Sequence, residues 1–346
     1  NQKTFILEDG NRMVTLYPSN VHYEKEGQLL DINNTLIEEN EKIENVEGSY
    51  RINYSKELGE NTEIATLGKD EFNIKWKMVD NTKEEIFNEN QLQPFSIQSE
   101  SIIENDIVEA KITNVEENST NISNEEKTTL EQITSEVKYE DILNETDLKY
   151  VNTPDAVKES IIIKNKEVVQ NKYTFEYEAG NMIMQLNENK EILVLNAENN
   201  ETIFKIEAPY MYDNNIEQSN NIEVTLTKQD NKYIVEIIPD IEWLNAPERA
   251  YPVTIDPTIN TSLNHKAIKD TFIFKGDSRT PDRHKAHIIR IGSNNRLKNP
   301  PRGLIKFDLP ELRSGDQVVA AMLDICNYPD TEEWTPSTKE MQINVH

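Results

Sequence analysis

Apolar and polar residues alternate along most of this chain with the period of two that is typical of half-buried β-strands. The segment Phe72-Asn73-Ile74-Lys75-Trp76 shows this alternation early in the chain, and Lys232-Tyr233-Ile234-Val235-Glu236-Ile237 shows it later. Such segments recur at short spacing and are separated by Asn, Gly and Pro, while helical periodicity is almost absent. The pattern predicts an all-β protein built from antiparallel sheets, as in a sandwich or barrel.

Residues 251–258 (YPVTIDPT) are predicted to form the last strand of a first body. Val253 and Ile255 would lie on one face of a short strand. Neither Pro252 nor Pro257 can donate a hydrogen bond to a neighbouring strand, so we expect this strand to be short or at a sheet edge, and to run into a linker. An ordinary edge strand without a boundary is the alternative.

The charge distribution favours the boundary. The chain has 346 residues and a formal net charge of -27. Residues 1–258 carry 23 Lys and Arg against 52 Asp and Glu, whereas residues 259–346 carry 13 against 11. Strong acidity in the first part argues against binding of nucleic acid or of an anionic membrane there, because both are polyanions.

The composition of the chain and the positions of its turn-forming and low-complexity segments together predict four parts of the chain. We expect an acidic β-rich subdomain at 1–113, a polar low-complexity insertion at 114–136, a second sandwich-like subdomain at 137–258, and a partial module at 259–346. The chain begins with Asn rather than Met and ends on the alternating segment MQINVH, so we expect it to be part of a longer polypeptide. Cys326 is the only cysteine, which excludes an intrachain disulfide, and no apolar run approaches the length of a membrane helix.

Four motifs in the last part resemble, in order, the pattern of the DNRLRE domain, a module similar to carbohydrate-binding jelly rolls: DTF at 270–272, IRIG at 289–292, RGLIKFDLP at 302–310 and GDQVVAAMLDI at 315–325. Upstream, YEDIL at 139–143, DLKY at 147–150, APYMYD at 208–213 and YPVTIDPT at 251–258 resemble the segment that precedes such modules in large secreted Gram-positive proteins. Those are the wall-associated Rhs (YD-repeat) proteins of the polymorphic toxin type.

The resemblance implies a chain that corresponds to the N-terminal part of such a protein, secreted or wall-associated, with one or more antiparallel sandwich domains followed by a partial jelly-roll-like module. A non-enzymatic scaffold with a glycan- or wall-docking module, connected to downstream repeats and a toxin, is the favoured function. A fragment of a carbohydrate-active enzyme and a purely structural cap of the repeat shell are the alternatives.

The basic stretch 263–313, with 12 Lys and Arg against 5 Asp and Glu, could dock onto an anionic wall polymer or onto an acidic glycan. It could also dock onto the acidic part of the chain. We therefore predict Lys285, Arg290 and Arg302 as cationic contacts and Trp334 as an aromatic contact. A solvated surface explains the same stretch equally well, and a tryptophan beside acids, such as Trp243 or Trp334, more often packs in a core or under a loop.

No catalytic motif is found: GxSxG, the P-loop and GxGxxG are all absent, so we predict no enzyme activity and no cofactor. Four of the five histidines follow residue 258, without HxH or HExxH spacing, which favours surface histidines over metal ligands. A structural calcium ion is a minority alternative, because Asp256, Asp270 and Asp277 offer oxygen ligands.

Overall fold

The structure is a computed structural model that describes residues 2–6, 12–17, 19–39, 42–59, 61–79, 107–114, 132–143, 145–215, 217–262, 268–274, 301–307 and 317–318. These residues form the strands β1 (Gln2–Ile6), β2 (Arg12–Leu16), β3 (His22–Lys25), β4 (Gln28–Asp31), β5 (Asn33–Glu39), β6 (Lys42–Glu47), β7 (Arg51–Ser55), β8 (Glu57–Leu58), β9 (Ala65–Lys69), β10 (Phe72–Val79), β11 (Val108–Asn114), β12 (Ser135–Leu143) and β13 (Thr146–Thr153). The later strands are β14 (Ala156–Ile163), β15 (Tyr173–Glu178), β16 (Met182–Leu186), β17 (Ile192–Asn196), β18 (Thr202–Ile206), β19 (Tyr210–Tyr212), β20 (Gln218–Ser219), β21 (Ile222–Gln229), β22 (Lys232–Pro239), β23 (Val253–Asp256), β24 (Thr258–Asn260), β25 (Ile268–Phe274) and β26 (Pro301–Phe307). One-turn helices lie at Lys166–Val168 and Ile241–Leu244.

Most of these strands belong to two large antiparallel sheets. Sheet 1 has the order β21-β22-β15-β10-β9-β7-β6-β5 among the described strands. Sheet 2 has the order β16-β17-β18-β24-β14-β13-β12-β11-β8, with β19, β20 and β23 beside this path. The prediction of an all-β protein with antiparallel sheets is confirmed.

The two sheets face each other across one apolar core. Along β10 the side chains of Phe72, Ile74 and Trp76 are buried, while those between them are exposed, as the period of two predicts. The ring of Tyr54 in sheet 1 lies 5.4 Å, centroid to centroid, from the ring of Tyr150 in sheet 2. The core is therefore the interior of a β-sandwich.

The expected subdomains 1–113 and 137–258 share this core and both sheets. In sheet 1, β10 pairs with β15 in a register that sets Trp76 opposite Tyr177. In sheet 2, β11 pairs with β12, and Asn114 lies opposite Ser135. The expected insertion thus connects two neighbouring strands, and residues 115–131 lie outside the described part.

The expectation of a short strand within residues 251–258 is confirmed, since β23 has four residues, but the strand does not lie at a sheet edge. Residues 263–267, where a linker would begin, lie outside the described residues. Strand β23 lies between β14 and β19, and β24 lies between β14 and β18. Val253, Ile255 and Ile259 are fully buried in the sandwich core. Pro257 falls between the two strands, where its missing N–H interrupts no ladder. The described core continues across residue 258.

In the part of the chain after residue 262, the described elements are β25 and β26 plus residues 317–318. β25 and β26 pair along their whole length, from Ile268 opposite Phe307 to Phe274 opposite Pro301. This antiparallel pair agrees with an all-β module, and the jelly-roll arrangement stays a prediction.

Candidate functional site

Of the predicted contact residues, Arg302 lies within the described part of the chain. It is exposed on β26, opposite Ile273 of β25. Lys285, Arg290 and Trp334 lie outside the described residues, so the structure does not test whether the four come together.

Trp243, one of the two tryptophans beside acids, belongs to a compact local structure. Asp240 caps the helix Ile241–Leu244, because its Oδ1 accepts hydrogen bonds from the backbone N–H groups of Glu242 and Trp243 at 2.9 and 3.1 Å. The guanidinium carbon of Arg249 lies 3.4 Å from the centroid of the Trp243 ring. One face of the indole is thus covered by a cation, so a sugar could not stack there.

Arg249 also forms a buried ion pair. Its Nη1 donates to Asp213 Oδ2 at 2.8 Å, and the two side chains are 6% and 1% exposed. Asp213 further accepts hydrogen bonds from the backbone N–H groups of Asn215, Glu217 and Ala250. We call Asp213, Trp243 and Arg249 the arginine clasp. Because its charges are satisfied inside the protein, it stabilises the loop ahead of β23 and offers no vacant ligand position.

A second cluster lies in the core and is centred on Glu159 of β14. The residue is 1% exposed, and it stands opposite Tyr150 of β13 in the sheet register. The hydroxyl of Tyr150 accepts a hydrogen bond from Trp76 Nε1 at 3.2 Å, which links the cluster to sheet 1. On the other side of Glu159, its backbone N–H donates to the carbonyl of Pro257 at 3.2 Å.

The Glu159 carboxyl is a weak acid in this environment. Burial, followed by the charge of Asp256, raises its pKa from 4.5 to about 8, while a hydrogen bond with Tyr150 acts in the opposite direction. Its Oε1 has no hydrogen-bond partner among the described protein atoms. Glu159 is therefore protonated at neutral pH, and its burial keeps it from direct contact with a large substrate.

Asp256 is the charged neighbour of this cluster. Its Oδ2 accepts a hydrogen bond from the Tyr210 hydroxyl at 2.9 Å, and its Oδ1 accepts one from Thr258 Oγ1 at 3.0 Å. These donors fix the carboxylate beside Pro257. Among the described residues, no group of three or more His, Cys, Asp or Glu side chains could hold a metal ion.

Another nearly covered carboxylate, that of Asp147, accepts hydrogen bonds from several donors. Asp147 has a side chain that is 2% exposed and accepts from Lys164 at 2.7 Å and from Lys138 at 3.0 Å. Burial alone would raise its pKa, but hydrogen bonds from Lys164, the backbone of Asp141 and Lys138 outweigh burial and lower it. Asp147 is thus ionised in the folded protein over the neutral range.

Sequence reasoning named Trp243 but did not bring together the arginine clasp, and it gave no role to Glu159. The clasp brings together residues from three separate segments, so no local pattern marks it. A signal for Glu159 does exist: it occupies the buried face of β14 together with Val157 and Ile161. A charged residue in phase with the apolar positions of a strand indicates a buried carboxyl.

The described residues thus define an all-β sandwich whose characterised ionisable clusters are either bonded internally or, at Glu159, buried in the core. Among them, no helix is long and apolar enough to cross a membrane. No protein-family model matches the chain, and no solved structure matches it significantly.

Half of the chain is nevertheless similar to nucleases of Bacillus species. It is 24% identical over 191 residues to the tRNA(Glu)-specific nuclease WapA of Bacillus subtilis subsp. natto and to the tRNA nuclease WapA of Bacillus subtilis strain 168. It is 23% identical over 191 residues to the tRNA3(Ser)-specific nuclease WapA of Bacillus spizizenii. Each match covers 50% of the present chain and 8% of the relative, so the chain spans a small part of the relatives' length.

Proposed function

We propose that this chain is a non-catalytic scaffold region of a large secreted, wall-associated polypeptide of the polymorphic toxin type. The observation that carries the proposal is the similarity of half of the chain to only 8% of each WapA nuclease. Such a small share leaves most of the relative's length for other parts, including the nuclease activity that its name states. The sandwich would then be a structural unit of the longer protein.

The chemistry of the sandwich supports a scaffold role. In the described residues, the arginine clasp is closed by internal hydrogen bonds and the Glu159 carboxyl is buried away from solvent. On the outer face of sheet 1, Lys172 pairs with Glu236 at 2.7 Å and Lys232 pairs with Glu176 at 2.7 Å. Cross-strand pairs of this kind reduce the repulsion between the many acids of a negatively charged protein.

The second element of the proposal is a docking function for residues 259–346. The DNRLRE-like motifs and the excess of Lys and Arg in residues 263–313 support it, and Arg302 presents a cation on an exposed strand face. Anionic wall polymer is the ligand class that this charge favours, because the attraction between opposite charges is strong at low salt.

Sedimentation with purified Gram-positive cell walls tests both elements. We expect the full chain to bind at low salt and to be released at high salt. The triple substitution Lys285→Glu, Arg290→Glu and Arg302→Glu should weaken binding at least about tenfold, since it reverses three of the predicted contacts. Lys42→Glu on the exposed face of β6 is the matched control and should leave binding unchanged.

The same samples distinguish the alternatives. Intact walls and intact tRNA after incubation would support a non-catalytic region. Release of reducing sugars would instead indicate a carbohydrate-active enzyme, and cleavage of tRNA would place nuclease activity in this chain. If the full chain does not bind walls at any salt concentration, the docking element is wrong and the purely structural cap is the better explanation.

A further inference from the structure

Glu159 lies in the core, on the strand that pairs with the last two strands of the sandwich. Strand β14 pairs with β13 along its whole length, from residue 156 to residue 163. On its other edge, β14 pairs with β24 at residues 156–158 and with β23 at residues 161–163. Glu159 and Ser160 therefore lie opposite the junction of β23 and β24. We call β23 and β24 (residues 253–260) the closing segment.

The closing segment is held to β14 by shorter ladders than β13 is: three residue pairs with β23 and three with β24, against eight with β13. β23 and β24 have four and three residues, and Pro257 between them contributes no N–H. The carbonyl of Pro257 is instead bonded to the backbone N–H of Glu159. After the closing segment, the backbone N–H groups of Thr261 and Ser262 donate to the carbonyl of Asp155, at the start of β14. Short ladders of this kind open locally at a lower free energy than long ones.

The groups that face Glu159 do not compensate a negative charge. Asp256 of β23 is a carboxylate, and Tyr150 of β13 is a neutral hydroxyl. Tyr54 of β7 and Tyr177 of β15 also respond to the charge of Glu159, and burial raises the pKa of both well above 10. Among the described groups that act on Glu159, none is a cation. A second negative charge at this point would be buried and would repel Asp256.

We propose that protonated Glu159 keeps the closing segment paired with β14. Loss of this proton separates β23 and β24 from β14 while the remainder of the sandwich stays folded. The charge is created on β14, and the fixed charge that it repels is on β23, so the repulsion acts across the weak junction. Opening there would let water reach the orphaned Oε1 and both carboxylates.

This inference concerns the connection between the sandwich and the chain that follows it. The closing segment leads directly to the part that contains β25 and β26. Separation of β14 from residues 253–260 at alkaline pH would leave these residues held by β18 and β19 alone, at the point where the chain leaves the sandwich. The proposal does not depend on wall binding or on the toxin-type assignment.

Hydrogen–deuterium exchange of the full chain, read by mass spectrometry at about pH 6 and about pH 9, tests it. After correction for intrinsic exchange, we expect peptides covering 253–260 to exchange at least about tenfold faster at the higher pH. Peptides of β12 and β13 should keep their protection. In Glu159→Gln the pH dependence of 253–260 should disappear, because an amide does not titrate. The control Glu223→Gln, on the exposed edge strand β21, should behave as the unsubstituted chain.

Two results would overturn the proposal. One is equal corrected protection of 253–260 at both pH values, and the other is simultaneous loss of protection throughout the sandwich, which would mean global unfolding. If Glu159→Gln does not fold, Asp256→Asn gives an independent answer, because it removes the repelling charge and leaves Glu159 in place. A full alkaline response in Asp256→Asn would contradict the role given to the repulsion.

Discussion

Removal of the Arg249 guanidinium is the sharpest stability test that the sandwich offers. The side chain makes three contacts that a smaller residue cannot replace. It pairs with Asp213 at 2.8 Å, its Nε donates to the carbonyl of Trp243 at 3.1 Å, and it lies over the Trp243 ring. Arg249→Ala would leave the Asp213 carboxylate, which is 1% exposed, without its counter-charge.

The expected loss follows from these contacts. Breaking a buried pair by removing one partner costs about 3–5 kcal/mol. Three backbone N–H groups still donate to Asp213, which favours the lower end of that range. Loss of the cation–π contact adds about 1 kcal/mol. We therefore expect Arg249→Ala to lower the free energy of unfolding by about 4 kcal/mol. Arg249→Lys should cost about half as much, since it keeps the charge and loses the planar stacking.

Equilibrium unfolding in urea, followed by tryptophan fluorescence, measures these changes. Lys42→Ala on an exposed face is the control and should change the free energy of unfolding by less than about 0.5 kcal/mol. In the double variant with Asp213→Asn, the loss should be smaller than the sum of the two single losses, because no uncompensated charge stays buried. A loss below about 1 kcal/mol for Arg249→Ala, or strict additivity, would refute the assignment of the clasp as a buried, coupled unit.

Three further substitutions test the core and the buried carboxyls. The folded pKa of Glu159, about 8, lies above its ordinary 4.5, so the folded state holds the extra proton and the free energy of unfolding falls as pH rises between these values. Urea unfolding should show Glu159→Gln to be more stable than the unsubstituted chain at pH 9, by up to about 5 kcal/mol, and the difference should disappear towards pH 4.5. A difference that is constant with pH would contradict this. The pKa of Asp147 is lowered, so its contribution to the free energy of unfolding is present above the ordinary 3.8 and is lost as pH falls through the folded pKa. In Asp147→Asn the melting temperature should therefore fall less steeply towards acid pH. An unchanged acid dependence would exclude this role for Asp147. Tyr54→Phe removes the hydroxyl that donates to Asn152 Oδ1 at 2.6 Å. Calorimetry should show that the free energy of unfolding falls by about 1–3 kcal/mol. An unchanged free energy would mean that Asn152 finds another donor.

The alternation of side chains predicted strands well where one face is buried and the other is not. Buried and exposed positions alternate over Phe72–Trp76 of β10, and half-buried and buried positions alternate along β22, as the sequence pattern predicts. The same pattern does not say which strands pair. Trp76 lies opposite Tyr177, about a hundred residues away, because packing between the sheets selects that neighbour. Long-range pairing is a tertiary property, and this is why two expected subdomains form one sandwich.

The prolines of residues 251–258 illustrate a second reason for error. Pro257 lacks an N–H, and in a continuous interior strand that would leave a ladder position empty. The chain instead changes its outer partner there, from β19 beside β23 to β18 beside β24. The proline thus marks a change of partner inside a sheet. Sequence alone cannot distinguish such a position from an edge strand, because both tolerate a residue that lacks a backbone N–H.

Charge composition did not locate the buried carboxyls of the sandwich, since a count of acids does not reveal where they lie. The paired acids of sheet 1 lie on its outer face beside lysines, where they cost little. Two carboxyls have very different surroundings. Asp147 is nearly covered and keeps its charge because lysines donate to it. Glu159 is fully covered and keeps its proton because burial, followed by the charge of Asp256, disfavours the ionised form. The same residue class therefore stabilises the fold in one place and makes it sensitive to alkali in another, and only the partners across the strands decide which.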